Sequence, residues 1–312
     1  MAQNKELPRI RACLFDMDGL LIDSEDIYSR ITNEVLQMYG KPNLPWSIKA
    51  LLQGRPQPEA CILLTSYQTH RSFMLTNPIQ ASKIFHDWAK LPITPEETAA
   101  KQSSLQAAYF PSCGPLPGVP ELLSNLAATQ STDQPCHIAL ATSSNSRNFK
   151  LKTDHLTDLF SVFPQVHRVL GDDPRIGKGR GKPLPDIYLL ALETINADLR
   201  SKGQTEIKPE ECLVFEDAVP GVEAGRRAGM QVVWCPHPGL LETYKGREEE
   251  VLAGLTGAHK EEDKSEAEKE ADELQSWRVK GAGKVGELGD GWAQLYHSLE
   301  DFPYAKYGIQ IP

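Results

Sequence analysis

Two acidic pairs, each following a short apolar run, carry the strongest chemical signal in this sequence. The first is Asp16 and Asp18 in Phe15-Asp16-Met17-Asp18-Gly19-Leu20. In an extended strand residues i and i+2 point the same way, so both carboxylates can face one site, and Gly19 lets the chain turn sharply. Adjacent carboxylates repel, and such a pair needs a cation or a shared proton. A calcium loop is excluded, because Gly19 follows the second Asp directly and no third Asp sits two positions on. Two readings stay open on this hexapeptide alone: aspartates capping a turn after a strand, or a nucleophile and an acid/base partner on one metal ion. The second pair, Glu216-Asp217, follows Glu211–Phe215 (ECLVF). Carboxylates clustered at a dry strand end are costly without a neutralising cation. Oxygen ligands of this kind suit Mg²⁺, which keeps several waters and often shares its shell with a phosphate oxygen.

Two other segments supply the complementary groups. After His137–Ala141 (HIALA) comes Thr142-Ser143-Ser144-Asn145-Ser146. Hydroxyls and backbone N–H groups at a helix start offer donors to an anion, and equally make a plain N-cap. Further on, Lys182 lies just before a Pro-initiated helix in Gly181-Lys182-Pro183-Leu184-Pro185-Asp186, where an ammonium can meet a phosphate. This is not a P-loop, since Pro183 follows the Gly-Lys pair and Ile176 holds the place of the first glycine. The nearby Lys178 and Arg180 read as solvated loop charges.

These groups have to be brought together by the fold. Four apolar runs, Ile10–Phe15, His137–Ala141, Glu211–Phe215 and Gln231–Cys235, are continuous rather than alternating, as in strands of a parallel sheet buried on both faces. Helical patterns lie between them at Val119–Leu126, Pro185–Ile195 and Pro220–Ala228. The fold class expected is α/β, a doubly wound parallel sheet whose ligands bind beyond the carboxyl ends of the strands. About 120 residues separate the first two runs, too many for one crossover. They contain helical patterns at Glu25–Met38 and near Pro58–Tyr67, Pro78–Ala89 and Pro95–Ala108, then a Pro- and Gly-dense link at Pro111–Pro120. The expected organisation is therefore a core of residues 1–20 and 112–312, with a helical insertion at 21–111.

The 312-residue chain is 40% hydrophobic and 24% charged, an ordinary globular composition. Its net charge of −9 carries no basic footprint for nucleic acid. Residues 242–273 hold twelve acids against five bases, −7 of that charge, so 242–280 reads as a solvated, flexible acidic insertion. No apolar run reaches the ~18 residues of a membrane span, and the N-terminus lacks an apolar signal region. The six cysteines are scattered without a CxxC pair, which suits free core thiols in a reducing compartment. A cytoplasmic location is expected.

As a set, FDMDG with LLIDSE after it, ALATSS, GKPLPDIY and VFEDAVPGVEAGRRAGM resemble the haloacid dehalogenase superfamily, in its β-phosphoglucomutase-like and pseudouridine 5′-phosphatase-like branch. The resemblance covers about residues 9–240 and a final helix near 291–300. It implies that 21–111 is a helical cap domain. It further implies that Asp16 is the nucleophile, Asp18 the general acid and base, and that Thr142 and the Ser143 amide bind the phosphoryl group. Lys182 then neutralises nucleophile and phosphate. Asp217 with Glu216 completes a Mg²⁺ site beside Asp16 and the Asp18 carbonyl. A Gly-centred cap loop, here Gly54 and Arg55, is implied to touch the substrate.

The activity expected is Mg²⁺-dependent hydrolysis of a small phosphomonoester, a sugar, polyol or nucleotide-type phosphate with pseudouridine 5′-phosphate among them, by a monomer. Dehalogenases of the family lack the second Asp. The mutase carries a His twelve residues after its nucleophile, where this sequence has Tyr28. A sugar phosphomutase, and a non-catalytic interaction protein using the acidic stretch, stand as alternatives.

Overall fold

The computed structural model describes residues 7–54, 77–177, 179–256 and 284–312. The four apolar runs form β1 (Ala12–Phe15), β2 (His137–Ala141), β4 (Cys212–Glu216) and β5 (Gln231–Trp234) of one sheet. Two short edge strands, β3 (Arg168–Val169) and β6 (Ala293–Leu295), complete it. All pairings are parallel and the order is β3-β2-β1-β4-β5-β6. The expected final helix near 291–300 is thus a strand: Ala293 to Leu295 pair with Val232 to Trp234. Strands of two or three residues are too short to show a period, which is why neither edge strand could be anticipated.

Alternation across the strands explains the continuous apolar runs. Ala12 and Leu14 of β1, with Cys212 and Val214 of β4, join one core layer under α8 (Asp186–Ser201) and α9 (Val219–Arg227). Cys13, Phe15, Leu213 and Phe215 point to the other layer, with α5 (Val119–Ala128) and the C-terminal Leu299, Phe302 and Tyr307. Phe15 and Phe215 stack there at 4.5 Å.

Between β1 and β2 come α1 (Ser24–Met38), α2 (Trp46–Leu52), α3 (Asn77–Ala89) and α4 (Pro95–Tyr109). They hold a small cluster of their own, Leu36, Phe85 and Ala89. The connections into and out of this segment run side by side: Gly114 N–H donates to Asp23 Oδ1 at 2.7 Å and Leu116 N–H to Leu21 O at 3.1 Å. The helix expected near Pro58–Tyr67 lies outside the described residues. After β2 come α6 (Ser146–Thr153) and α7 (Thr157–Phe160).

The acidic stretch departs from expectation at its start. Residues 238–253 form α10 (Pro238–Thr243) and α11 (Glu248–Ala253). Val251 and Ala253 are buried, while Glu248, Glu249 and Glu250 sit in the first turn of α11, where the helix dipole favours acids. The remainder of the stretch lies largely outside the described residues. No described helix is long and apolar enough to cross a membrane. The described cysteines are free thiols.

At the amino end of the sheet, a cavity of about 210 Å³ is lined by His137, Ile138, Val162, His167, Asp198 and Lys202. The Nε2 of His167 is buried without a hydrogen-bond partner. Burial holds both imidazoles below their usual pKa. At these two sites the unfolded chain therefore binds more protons than the native one below about pH 6.5, and their contribution to stability falls as pH drops through that range. Between about pH 7 and 5 the melting midpoint of the wild type is expected to lose more, relative to its value at pH 7, than that of His167→Gln; equal slopes in thermal melts of the two would refute this.

Candidate active site

Strand register builds the acidic cluster. β1 and β4 are neighbours with Phe15 opposite Phe215, and Asp16 N–H donates to Phe215 O at 3.0 Å. The residues that follow, Asp16 on one strand and Glu216-Asp217 on the other, therefore emerge together at the carboxyl edge, where the strand order reverses. One carboxylate oxygen from each of Asp16, Glu216 and Asp217 lies within 4.8 Å of the others, and all three residues are buried. Burial foremost pushes Asp16 up to about 7; Lys182 opposes that shift, while Glu216 and Asp18 add to it. Asp217 is raised by burial and then by Glu216, Glu25 and Asp16. Three buried oxygen donors, of which Asp16 and Asp217 resist carrying their charges, fit a hard divalent cation.

Lys182, preceding α8, ion-pairs with Asp16 and, at 2.7 Å, with Glu216 Oε1, and donates to Ala141 O at the end of β2 at 3.1 Å. Its two carboxylate neighbours outweigh burial and raise its pKa, so it stays an ammonium ion. Glu216 is heavily engaged: Tyr188 OH donates to its Oε1 at 2.5 Å, and the N–H groups of Asp217 and Ala218 donate to Oε2 at 3.1 and 3.2 Å. Arg180, expected to be solvated, instead grips the buried Asp186 at 2.6 and 3.0 Å. An unpaired carboxylate at that buried helix start would be costly. Lys178 lies outside the described residues.

The hydroxyl cluster divides its labour. Asn145 caps α6, its side chain accepting from Asn148 N–H at 2.8 Å. The N-cap reading thus belongs to Asn145 and leaves Thr142 and Ser143 at the end of β2. Thr142 is fully buried, with its Oγ1 accepting from Ser144 N–H at 3.1 Å. Ser143 Oγ donates to Gly54 O at 3.2 Å. Gly54 follows α2 with φ +74°, and a Cβ there would lie 2.7 Å from Ala218 Cβ, so only glycine allows this approach. The preceding Gln53 is buried and donates from Nε2 to Asp217 Oδ2 at 2.5 Å. Arg55 lies outside the described residues.

The carboxylate of Asp18 stands apart from the three-acid cluster. Its Oδ1 accepts from Lys152 Nζ and Ser24 Oγ, each at 2.6 Å, and its Oδ2 from Ser144 Oγ at 2.7 Å. Burial raises its pKa, but the charge and hydrogen bond of Lys152 prevail and the net shift is downward. Gln53, Ser144 and above all Lys152 were not singled out from sequence. In Lys150-Leu151-Lys152 nothing marks the second lysine, which is fully buried, from the first, whose side chain is 73% exposed.

Residues 10–229 match the family described as haloacid dehalogenase-like hydrolase. The chain belongs to the haloacid dehalogenase-like hydrolases. Among curated members, a Saccharomyces cerevisiae protein named "Probable pseudouridine-5'-phosphatase" is 42% identical over 78% of this chain and 90% of its own length. The (DL)-glycerol-3-phosphatase 1, mitochondrial, of Arabidopsis thaliana is 32% identical over 80% of this chain and 72% of its own. A solved hydrolase from Pseudomonas syringae superposes with a TM-score of 0.51 at 22% identity, over 74% of this chain and 89% of that one, a likeness of fold. The six-stranded parallel sheet with the acidic cluster at its switch point is thus the core of a haloacid dehalogenase-like hydrolase.

Proposed function

We propose that this hydrolase is a Mg²⁺-dependent phosphatase of a small phosphomonoester, working through an aspartyl-phosphate on Asp16. The observation that carries the proposal is the convergence of Asp16, Glu216, Asp217 and Lys182 at one strand edge. Asp16 and Asp217, with Glu216 beside them and the Asp18 carbonyl, would hold the ion, which supplies charge neutralisation for an anionic ester meeting an anionic nucleophile. An Asp16 oxygen attacks phosphorus, and the bond to the leaving oxygen breaks as Asp18 gives that oxygen its proton. A water then attacks the acyl phosphate, Asp18 takes a proton from it, and Asp16 is released as carboxylate with inorganic phosphate. Such acid/base help is worth ~10²–10⁴-fold. Thr142 and the Ser143 amide bind the transferring group, and Lys182 screens the repulsion between anions.

In this reading residues 21–111 are a cap closing over a core of 1–20 and 112–312. Gly54 and Arg55 meet the alcohol portion of the substrate, and bulk water is excluded. Free thiols throughout the described residues suit a monomer in the reducing cytoplasm. Relatives named for pseudouridine 5′-phosphate from two organisms favour a nucleotide-type ester over a simple polyol phosphate. Tyr28 standing where the mutase has its His weighs against phosphate being moved within a sugar.

The test is a panel of nucleotide, sugar and polyol phosphates with purified protein, scored by released inorganic phosphate. Release from pseudouridine 5′-phosphate with the highest kcat/KM is expected; isomerisation without release would overturn hydrolysis. Gly54→Val is expected to lower kcat/KM about tenfold by forcing a β-branched residue into left-handed backbone and lifting Gln53 off Asp217. Equal kcat/KM values would dissociate this loop from the site.

A further inference from the structure

We propose that Lys152 is a positioning residue of the reaction, which with Ser24 and Ser144 aims the carboxylate of Asp18 at the leaving oxygen. This rests on the phosphatase reading and goes beyond it, since Lys152 belongs to neither acidic pair nor to the phosphate-binding segments.

Lys152 lies on the inward face of α6, one turn after the buried Asn148, and is fully buried. Its ammonium sits 4.6 and 4.5 Å from the ring centroids of Tyr28 and Phe110, which leaves it a narrow polar outlet. Through that outlet it donates to Asp18 Oδ1 at 2.6 Å, to Ser144 Oγ at 2.8 Å and to Tyr28 OH at 2.8 Å. An ammonium has three protons to donate, and these three acceptors match them. Ser144, accepting from Lys152, donates its own hydroxyl hydrogen bond to Asp18 Oδ2, so the lysine acts on both carboxylate oxygens.

A carboxylate offers about four lone-pair positions, and Lys152, Ser24 and Ser144 occupy three of them. The position left open, on Oδ2, is where a proton can be carried to and from the substrate. The locked geometry thus selects which lone pair does the acid/base work. It also divides two lysines between two tasks: Lys182 serves the nucleophile Asp16, and Lys152 serves Asp18. Tyr28 completes the arrangement. At the position where the mutase carries a His, this chain has a phenol that accepts from Lys152, so the cap helix α1 contributes to orienting Asp18.

The role predicts a dependence on the leaving group. p-Nitrophenol departs as a stable anion and needs no proton, whereas an alkoxide does. The value of kcat/KM reports the steps through departure of the alcohol, and so isolates the half-reaction in which Asp18 is the acid. The experiment compares kcat/KM for p-nitrophenyl phosphate with that for pseudouridine 5′-phosphate and glycerol 3-phosphate, in wild type, Lys152→Met and Ser144→Ala. For the alkyl esters that the wild type hydrolyses, a loss of about 100-fold is expected in Lys152→Met and about tenfold in Ser144→Ala. The aryl ester should lose less than about fivefold in both. Inhibition by inorganic phosphate should be unchanged, because the phosphate-binding groups are left in place. Parallel losses on aryl and alkyl esters, or no loss on either, would overturn the positioning role. If Lys152→Met does not fold, Ser144→Ala, which removes one hydroxyl and no charge, decides alone. Wild-type protein inactive on every ester would instead overturn the phosphatase reading itself.

Discussion

Asp16→Asn is expected to abolish turnover, with kcat falling by at least about 10⁴-fold, while the melting temperature stays level or rises. The two halves have separate causes. A carboxamide oxygen is a poor nucleophile toward an anionic phosphorus, so no acyl phosphate forms. Stability is another matter, because the buried Asp16 carboxylate is charged against resistance: burial and its acidic neighbours push its pKa to about 7 despite Lys182. Removing that charge relieves Glu216 and Asp217, and Lys182 keeps Glu216 as a partner at 2.7 Å. Phosphate release and a thermal melt of the same preparation check both. Residual activity above about 1% would refute covalent catalysis by Asp16, and a collapse of the melting temperature would make the loss of activity uninformative about the nucleophile.

The parts of the site legible in the sequence share one property: their residue types are improbable in their local setting. Asp16, Glu216 and Asp217 are charged residues at the ends of apolar runs, and the register of neighbouring strands follows once those runs are read as a parallel sheet. Lys182 is marked by the Gly-Lys-Pro context. Lys152 carries no such mark, because its helix has charged residues on every side and burial is decided by how α6 docks against Phe110 and Tyr28. Gln53 is invisible for a similar reason: it reaches Asp217 only because α2 ends where Gly54 can press against Ala218. The start of the acidic stretch misleads through its composition. Glu248 to Glu250 suggest solvated chain, yet two apolar residues, Val251 and Ala253, anchor that turn to the core.

Removing divalent cations is the second large perturbation. Three carboxylates at one strand edge, those of Asp16, Glu216 and Asp217, meet the one ammonium group of Lys182, an excess of two acids, while Asp18 has its own partner in Lys152. A divalent cation would balance them, at a place where burial and neighbouring acids raise the pKa values of Asp16 and Asp217. Phosphate release should therefore fall to background in EDTA and return when Mg²⁺ exceeds the chelator. Binding to the native state alone should also raise the melting temperature, since ligand at ~100 times its Kd adds about 2.7 kcal/mol of stability. This second measurement is independent of turnover and locates the ion. In Asp217→Asn the Mg²⁺-induced shift should vanish, because one of three closely placed oxygen donors loses its charge. A shift that survives Asp217→Asn would put the ion elsewhere on the protein, and undiminished turnover in EDTA would leave the clustered acids without the cation that makes their burial tolerable.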